Sequence, residues 1–153
     1  VLAWLCKVAG VGRMGAVSQS WLLTAIFAAH VVSRTWPLLL IRLMPHVGDA
    51  AGSKSKPLAD QIGCASLVAA GIWCFMALAL VLIAQFAINS GAPSGALAHA
   101  VQPVMGGILA SGLAWAYMGR LLWRRLQGFT GDGLGATQQV CEIAFYLGLA
   151  LAL

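Results

Sequence analysis

The sequence predicts an all-α fold, a polytopic membrane helical bundle with about four to five spanning segments. Of the 153 residues, 61% are hydrophobic and only 8% are charged, and the mean hydropathy is +0.89. Soluble domains contain about 25% charged residues, so this chain cannot cover a water-facing surface. The composition excludes a soluble cytosolic domain, a disordered chain and a nucleic-acid-binding protein. The net charge of +5 is interpreted as a membrane-topology signal.

A long uncharged run predicts a helical hairpin in the middle of the chain. From Gln61 to Gly119 there is no Asp, Glu, Lys or Arg. A spanning helix needs about 20 apolar residues, so this run accommodates one helix at 62–88 and another at 97–118. The segment 89–96 between them contains Gly, Pro and Ser, which is typical of a tight connection.

The segment before the hairpin predicts a further span with an irregularity near its end. Residues 14–33 are uncharged and long enough to cross a bilayer. Pro37 removes a backbone donor and clashes with the preceding turn, so we expect a kink at 35–37. The helix is then expected to resume and to end before Pro45.

The two ends of the chain predict two more helical segments. Residues 137–153 form a short final span that contains Glu142, and residues 1–11 are interpreted as the end of another apolar helix. Because the chain begins with Val1 inside an apolar run, we expect it to be the C-terminal portion of a longer protein. Residues 1–153 are assigned to a single integral-membrane domain.

The cations predict the orientation of these helices in the lipid bilayer. Cationic residues occur on both sides of the uncharged hairpin, and they are Arg42, Lys54, Lys56, Arg120, Arg124 and Arg125. Lys and Arg are enriched in cytoplasmic loops. Because two spans separate the groups, loops at about 45–61 and 119–136 are both predicted on the cytoplasmic side.

The glycine-rich stretch 127–137 is the most informative segment for function. Its glycines are Gly128, Gly131, Gly133 and Gly135. Such a backbone can form an anion-binding nest of N–H groups, and it leads into a predicted helix N-terminus, which also favours anions. Arg120 and Arg124 precede it, and Arg suits bidentate phosphate contacts. The stretch therefore predicts a phosphate-binding loop.

Asp132 lies in the middle of this stretch. A carboxylate repels a bare phosphate, but Mg²⁺ typically binds one or two carboxylates together with substrate phosphates. We therefore interpret Asp132 as a Mg²⁺ ligand. A glycine-rich cytoplasmic turn, with Asp132 as an ordinary loop or capping residue, explains the spacing equally well.

Two further charged side chains lie inside predicted spans. A charge at the bilayer centre costs about 2.5–3.5 kcal/mol on insertion scales, so Arg34 predicts a functional site. His30 lies one helical turn earlier, on the same face. Alternatively, Arg34 extends to the membrane interface from near a helix end. Glu142 is interpreted either as a site carboxylate or as an acid close enough to the interface to stay hydrated.

Residues 128–142 read Gly-Phe-Thr-Gly-Asp-Gly-Leu-Gly-Ala-Thr-Gln-Gln-Val-Cys-Glu. They resemble the C-terminal signature of the cobalamin synthases, the adenosylcobinamide-GDP ribazoletransferases. The family signature usually has Thr where this chain has Gly133. The Val32-Ser33-Arg34 segment and Lys7 are also similar to the family pattern, and the resemblance extends over the whole chain. The family's aspartate-rich N-terminal metal motif has no match here.

This resemblance implies a Mg²⁺-dependent membrane transferase. The family joins adenosylcobinamide-GDP to α-ribazole, or to alpha-ribazole 5′-phosphate, and releases GMP at the last assembly stage of cobalamin biosynthesis. The resemblance implies a multi-pass protein of the bacterial inner (cytoplasmic) membrane with its site facing the cytoplasm. Because the aspartate-rich motif is unmatched, it also implies that this chain alone is inactive. The oligomeric state stays open, with a homo-oligomer as one option.

The resemblance also implies roles for particular residues. Asp132 corresponds to a metal-side carboxylate, Arg34 to a phosphate clamp, and Glu142 to a base or an indirect support of the site. Thr130 is expected to orient or cap the loop. Substrate phosphate is expected to contact Gly131, Gly133, Gly135, Arg120 and Arg124.

Two other classes of function compete with the transferase. A multi-span transporter or lipid-handling protein would line a path with Arg34 and Glu142, and a structural membrane subunit would use its charges only for topology. A transporter predicts symmetry-related helix interruptions, whereas this sequence predicts one, near Pro37. A structural subunit needs no glycine-rich loop around Asp132. The resemblance therefore favours the transferase.

Overall fold

The computed structural model describes residues 19–47, 63–88 and 96–152, and these contain four α-helices and no β-strand. The helices are α1, Gln19–Leu43; α2, Cys64–Ile88; α3, Ala96–Leu126; and α4, Gly131–Ala152. The all-α prediction is confirmed for this part of the chain. The helix expected at 1–11, most of the loop expected at 45–61 and the connection at 89–95 lie outside the described residues.

α1 is one continuous helix that includes Pro37, the position at which the sequence predicts a kink. Near the proline, Thr35 Oγ1 donates a hydrogen bond to the Val32 carbonyl at 2.8 Å. The carbonyl that loses its helical donor at Pro37 is that of Ser33, four residues earlier, so this bond does not replace the missing one. The helix ends before Pro45 as predicted, because the residue before a proline disfavours helical geometry.

α2 and α3 occupy the two predicted segments of the uncharged run, but α3 is longer than predicted. It continues past the expected end at residue 118 to Leu126. Its last two turns are amphipathic, since Leu122 is buried while Arg124 and Arg125 are exposed. Arginine near a helix C-terminus is also stabilised by the macrodipole. The uncharged run therefore predicted the apolar part of α3 and not the residue at which α3 ends.

The connection between α3 and α4 comprises only residues 127–130, so the prediction of a loop over 119–136 is wrong in its extent. Gln127 has a positive φ of 57°, a conformation common just after a helix C-terminus. A Cβ on Gly128 would overlap both the Pro45 carbonyl oxygen and Val47 Cγ2. Glycine at this position therefore allows the connection to approach the segment after α1.

The end of α1 and the α3–α4 connection lie together. Phe129 N–H donates to the Pro45 carbonyl (3.0 Å), and Val47 N–H donates to the Phe129 carbonyl (2.9 Å). The two cation-rich regions thus meet at one end of the bundle in their described parts, in line with the prediction that they share a side. We call this end the arginine end, and its described cations are Arg42, Arg120, Arg124 and Arg125.

The core lies between α1 and α4. Small α1 residues face larger α4 residues in a buried cluster of Ala25, Ala28, Ala29, Val32, Phe145, Tyr146 and Leu149. α4 also packs closely on α3, since a Cβ on Gly107 would lie 2.9 Å from the Phe145 ring. Small residues permit such close approach and are common at helix contacts in membranes. This packing places α4 against both α1 and α3.

Two of the helices are long and apolar enough to cross a membrane, judged by length and composition. They are Trp21–Leu43 of α1 and Cys64–Ala87 of α2. α2 exposes large apolar side chains, among them Trp73, Phe75 and Leu80. A surface of this kind is unusual for a soluble monomer and suits contact with lipid. The described part of the chain is therefore all-helical and contains two candidate membrane spans.

Candidate functional site

Thr130 caps α4. Its Oγ1 accepts a hydrogen bond from Gly133 N–H at 3.1 Å, and its carbonyl accepts one from Leu134 N–H at 3.0 Å. These are the bonds of a helix N-cap residue. The cap determines where α4 begins and therefore where Asp132, in its first turn, lies.

Replacement of Thr130 with alanine is expected to destabilise the protein by about 1 kcal/mol, because Gly133 N–H loses its acceptor. Thr130→Ser keeps the hydroxyl and should retain most of the stability. The free energy of unfolding of both variants in detergent micelles, relative to the unmodified protein, measures the effect. Equal stability of the alanine and serine variants would show that the cap does not contribute.

The glycines of the motif do not form the predicted anion-binding nest. Gly131, Gly133 and Gly135 lie in the first two turns of α4 and not in a loop. The N–H of Gly133 is already bonded to Thr130 Oγ1, and the N–H of Gly135 points back toward the preceding turn. Of the three, only Gly131 keeps a first-turn N–H directed out of the helix. The cause is the Thr130 cap, which starts the helix earlier than the glycine content suggests.

Gly133 and Gly135 differ in what surrounds them. A Cβ on Gly133 would lie 2.9 Å from Leu122 Cδ2 and 3.2 Å from Thr130 Oγ1, whereas a Cβ on Gly135 would meet no atom within 4 Å. Gly133 therefore lets α4 begin close against α3. Gly135 has no such packing role in the described part of the chain and leaves an open position on the surface of α4.

Asp132 is exposed in the first turn of α4, where the positive end of the helix macrodipole favours a carboxylate. Within the described residues it forms no ion pair, and no three His, Cys, Asp or Glu side chains there group as a metal site. Mg²⁺ therefore fits at Asp132 only together with other oxygen ligands, such as substrate phosphates.

The arginine end is strongly positive. Arg120, Arg124 and Arg125 are exposed on the last two turns of α3, and Arg42 is exposed on the last turn of α1. Among the described residues, Asp132 is the only carboxylate at this end. A surface with such an excess of one charge attracts ligands of the opposite sign. The geometry is therefore suited to an anionic group at the start of α4.

Glu142 lies in a different environment, buried between α1 and α4. It is 2% exposed. His30 Nδ1 lies 3.1 Å from Glu142 Oε1, and Tyr146 OH donates a hydrogen bond to the same oxygen at 3.2 Å. The His30 side chain is 52% exposed, so it connects the buried carboxylate to the surface of the bundle.

The predicted catalytic residues do not form one compact cluster. Asp132 and Glu142 are ten residues apart on α4, which corresponds to about 15 Å along the helix axis. One metal ion cannot therefore bind both carboxylates directly. Thr130 lies with Asp132 at the arginine end, whereas Glu142 lies about halfway along α4.

These residues nevertheless share one side of the bundle. Polar or small residues recur along α4 at spacings of three and four, which places them on one face. α1 lies beside this face and contributes two polar residues. We call the whole set the polar stripe: Asp132, Gly135, Gln139, Glu142 and Tyr146 of α4, with His30 and Arg34 of α1.

Arg34 lies in the middle of the polar stripe. α1 runs toward the arginine end and α4 runs away from it, as the pairing of residues 45–47 with Phe129 shows. Since His30 contacts Glu142, Arg34 is one turn, or about 6 Å, nearer the arginine end. Its side chain is exposed and pairs with no carboxylate of the described residues.

Sequence reasoning missed Tyr146 and the pairing of His30 with Glu142. His30 was noted only as a neighbour of Arg34 on the same helical face. The three- and four-residue spacing from Asp132 to Tyr146 was a readable signal. One sequence does not predict which face of α1 packs against which face of α4.

A helical bundle with two candidate membrane spans and a polar stripe along two of its helices is typical of a membrane protein that carries a polar site. The chain belongs to the cobalamin-5-phosphate synthase family, whose family model matches residues 1–150. The resemblance based on residues 128–142 is thereby confirmed.

Several curated relatives are similar to this chain, and each is named adenosylcobinamide-GDP ribazoletransferase. The protein of Albidiferax ferrireducens is 61% identical over 153 residues, covering 100% of this chain and 55% of the relative. That of Polaromonas sp. is 49% identical over 166 residues, covering 100% and 54%, and that of Shewanella woodyi is 31% identical over 149 residues, covering 97% and 51%. The chain thus spans about half the length of these relatives. No solved structure matches it.

Proposed function

We propose that this chain carries part of the site of an adenosylcobinamide-GDP ribazoletransferase. The reaction would join adenosylcobinamide-GDP to α-ribazole or its 5′-phosphate and release GMP, the last assembly stage of cobalamin biosynthesis. The observation that carries the proposal is the polar stripe leading from the arginine end to Glu142, in a chain of the cobalamin-5-phosphate synthase family. The substrates follow from the names of the relatives.

The chemistry is the transfer of a phosphorus centre between two oxygens. A hydroxyl of the ribazole substrate attacks the phosphorus on the cobinamide side of the diphosphate. A new P–O bond forms while the bond to GMP breaks, and GMP leaves with the electron pair. Catalysis of such transfers depends mainly on positioning and charge stabilisation. Arg120, Arg124 and the first-turn N–H of Gly131 can supply both at the arginine end.

Asp132 is the proposed Mg²⁺ ligand of this site. Asp132 would hold Mg²⁺, which would supply neutralisation of the charge on the departing phosphate. The support is the exposed Asp132 carboxylate beside a strongly cationic surface. One carboxylate is a weak metal site, so the chain alone is proposed to be inactive.

We also propose that all four described helices span the bacterial inner membrane. The arginine end would face the cytoplasm, in accordance with the enrichment of Lys and Arg in cytoplasmic loops. The 31 residues of α3 extend about 46 Å, well beyond a hydrocarbon core of about 30 Å. Its last, arginine-bearing turns would therefore project into the cytoplasm.

The transporter alternative has no specific observation in its favour. Transporters of the broken-helix type bind substrate where helices are interrupted near the middle of the membrane. The four described helices are each continuous, including α1 at Pro37. Glu142 is paired with His30, whereas Arg34 lies one turn away. The arrangement therefore favours a fixed site over a transport path.

A chimera tests the proposed function. The matching segment of the Albidiferax ferrireducens relative would be replaced with this chain, and membranes would be assayed for GMP released from adenosylcobinamide-GDP in the presence of α-ribazole and Mg²⁺. We expect the chimera to release GMP. The unmodified relative is the positive control, and the same assay without α-ribazole is the blank. A chimera that accumulates in membranes without activity, beside an active relative, would contradict the proposal.

A further inference from the structure

Contact between lipid and the exposed residues of the polar stripe would be energetically unfavourable. His30 is 52% exposed at its side chain, and Arg34 is also exposed, although both lie within a candidate span. Polar and charged side chains at membrane depth rarely contact lipid and usually face a water-filled cleft or a ligand. We therefore expect a polar ligand or cleft, and not lipid, beside this part of α1.

The contact with Glu142 fixes the orientation of the His30 imidazole ring. Glu142 Oε1 lies 3.1 Å from His30 Nδ1 and also accepts the hydroxyl of Tyr146. With its hydrogen on Nδ1, the imidazole donates to Glu142 Oε1, which leaves Nε2 as an acceptor. No contact of Nε2 is seen among the residues that the structure describes. A carboxylate that holds a histidine through Nδ1 prepares Nε2 for proton transfer.

We propose that His30 is the catalytic base that accepts the proton of the attacking hydroxyl, and that Glu142 is a positioning residue that acts through His30. This inference rests on the proposed function and adds the residue that activates the acceptor. In the step, the hydroxyl oxygen forms its bond to phosphorus and its proton passes to His30 Nε2. The bond between phosphorus and the GMP oxygen breaks, and that oxygen keeps the electron pair. His30 then returns the proton to water.

The order of residues along the polar stripe supports this assignment. His30 and Glu142 lie far from the arginine end, Arg34 is about 6 Å nearer to it, and Asp132 is about 15 Å from Glu142 along α4. Phosphoryl transfer places the attacking and leaving oxygens roughly in line. The acceptor hydroxyl at His30, the attacked phosphorus toward Arg34 and the departing phosphate toward Asp132 would follow the same order along the polar stripe. The departing GMP would then point toward the arginine end.

Two substitutions of His30 separate proton transfer from structural support. In membranes containing the full-length protein, we expect His30→Ala to lower kcat for GMP release by about 10²–10⁴-fold. His30→Gln can still contact Glu142 but cannot take up a proton, so it should be similarly slow. Added imidazole should partly restore His30→Ala and leave His30→Gln unchanged. Leu23→Ala, at an exposed α1 position on the same face, is the matched control.

The positioning role of Glu142 is tested by a double-mutant cycle. Glu142→Gln is expected to lower kcat less than His30→Ala does, and the double variant should be no slower than His30→Ala alone, because both changes act through one group. Additive losses would overturn the positioning role. Full activity of His30→Gln, or failure of imidazole to raise His30→Ala, would overturn the catalytic role. If the unmodified full-length protein releases no GMP, the proposed function itself is wrong.

Discussion

Asp132→Asn is expected to abolish Mg²⁺-dependent GMP release by the full-length protein. Asparagine matches aspartate in size and tolerates the first turn of a helix, so the Thr130 cap and the start of α4 should persist. It lacks the negative charge that holds the metal ion. Loss of an outer partner of a metal ligand costs about 10–100-fold, and loss of a ligand itself should exceed this range. GMP release measured over a series of Mg²⁺ concentrations tests the expectation.

The control for this experiment keeps the negative charge at position 132 and lengthens the side chain. Asp132→Glu should retain partial activity with a higher half-saturating Mg²⁺ concentration, since the carboxylate remains exposed in the first turn of α4. Asp132→Asn with normal activity and an unchanged Mg²⁺ requirement would remove Asp132 from the metal site. Because the assay reports metal dependence as well as rate, a loss of folding is distinguished from a loss of metal binding.

Hydropathy predicted the helices well and their ends poorly. The uncharged run predicted α2 almost to the residue and the beginning of α3, because twenty or more apolar residues suffice to define a spanning segment. The same run predicted that α3 ends at residue 118, before the turns that carry Arg124 and Arg125. A change from apolar to charged residues indicates where a helix leaves the hydrocarbon. The helix itself continues as long as its backbone bonds and one buried side chain per turn, such as Leu122, support it.

In the glycine motif, one local hydrogen bond favours a helix although the glycine content predicts a loop. Gly131, Gly133 and Gly135 suggested a flexible loop, since glycine is unfavourable inside helices. The Thr130 side chain instead bonds Gly133 N–H and begins α4 within the motif. The motif thus identified the correct end of the helix, while the nest that it suggested does not form.

The residues of the candidate site could be predicted from the sequence only in part. Asp132 and Glu142 were both recognisable as candidate site carboxylates, but the sequence predicted Asp132 in a loop and therefore not its place on the same helix as Glu142. The contact between His30 and Glu142 depends on how α1 is rotated and shifted against α4. That arrangement is set by the packing of Ala25, Ala28 and Ala29 on Phe145 and Leu149, and a single sequence does not specify which apolar faces meet.

Gly148→Ala is expected to destabilise the protein more than any other glycine-to-alanine change in α3 or α4 outside the motif. A Cβ on Gly148 would overlap the carbonyl oxygen of Gly106 and lie 2.5 Å from Ala110 Cβ. Both are rigid neighbours, a backbone atom and the first side-chain carbon, so α3 and α4 would have to separate. Overpacking of this kind costs about 1–3 kcal/mol, against a gain in helix propensity of at most about 1 kcal/mol. The free energy of unfolding in mixed detergent micelles measures the net effect.

Gly71→Ala is the matched control, because Gly71 is also helical but a Cβ there would meet no atom within 4 Å. We expect that variant to be unchanged or slightly more stable, owing to the helix propensity of alanine. A Gly148→Ala protein as stable as Gly71→Ala would show that α3 and α4 do not approach each other at Gly106. The same contact holds α4 against α3 beside the α1 core, so its loss should also displace Glu142 from His30. GMP release by Gly148→Ala is therefore expected to fall together with stability, whereas Gly71→Ala should keep both.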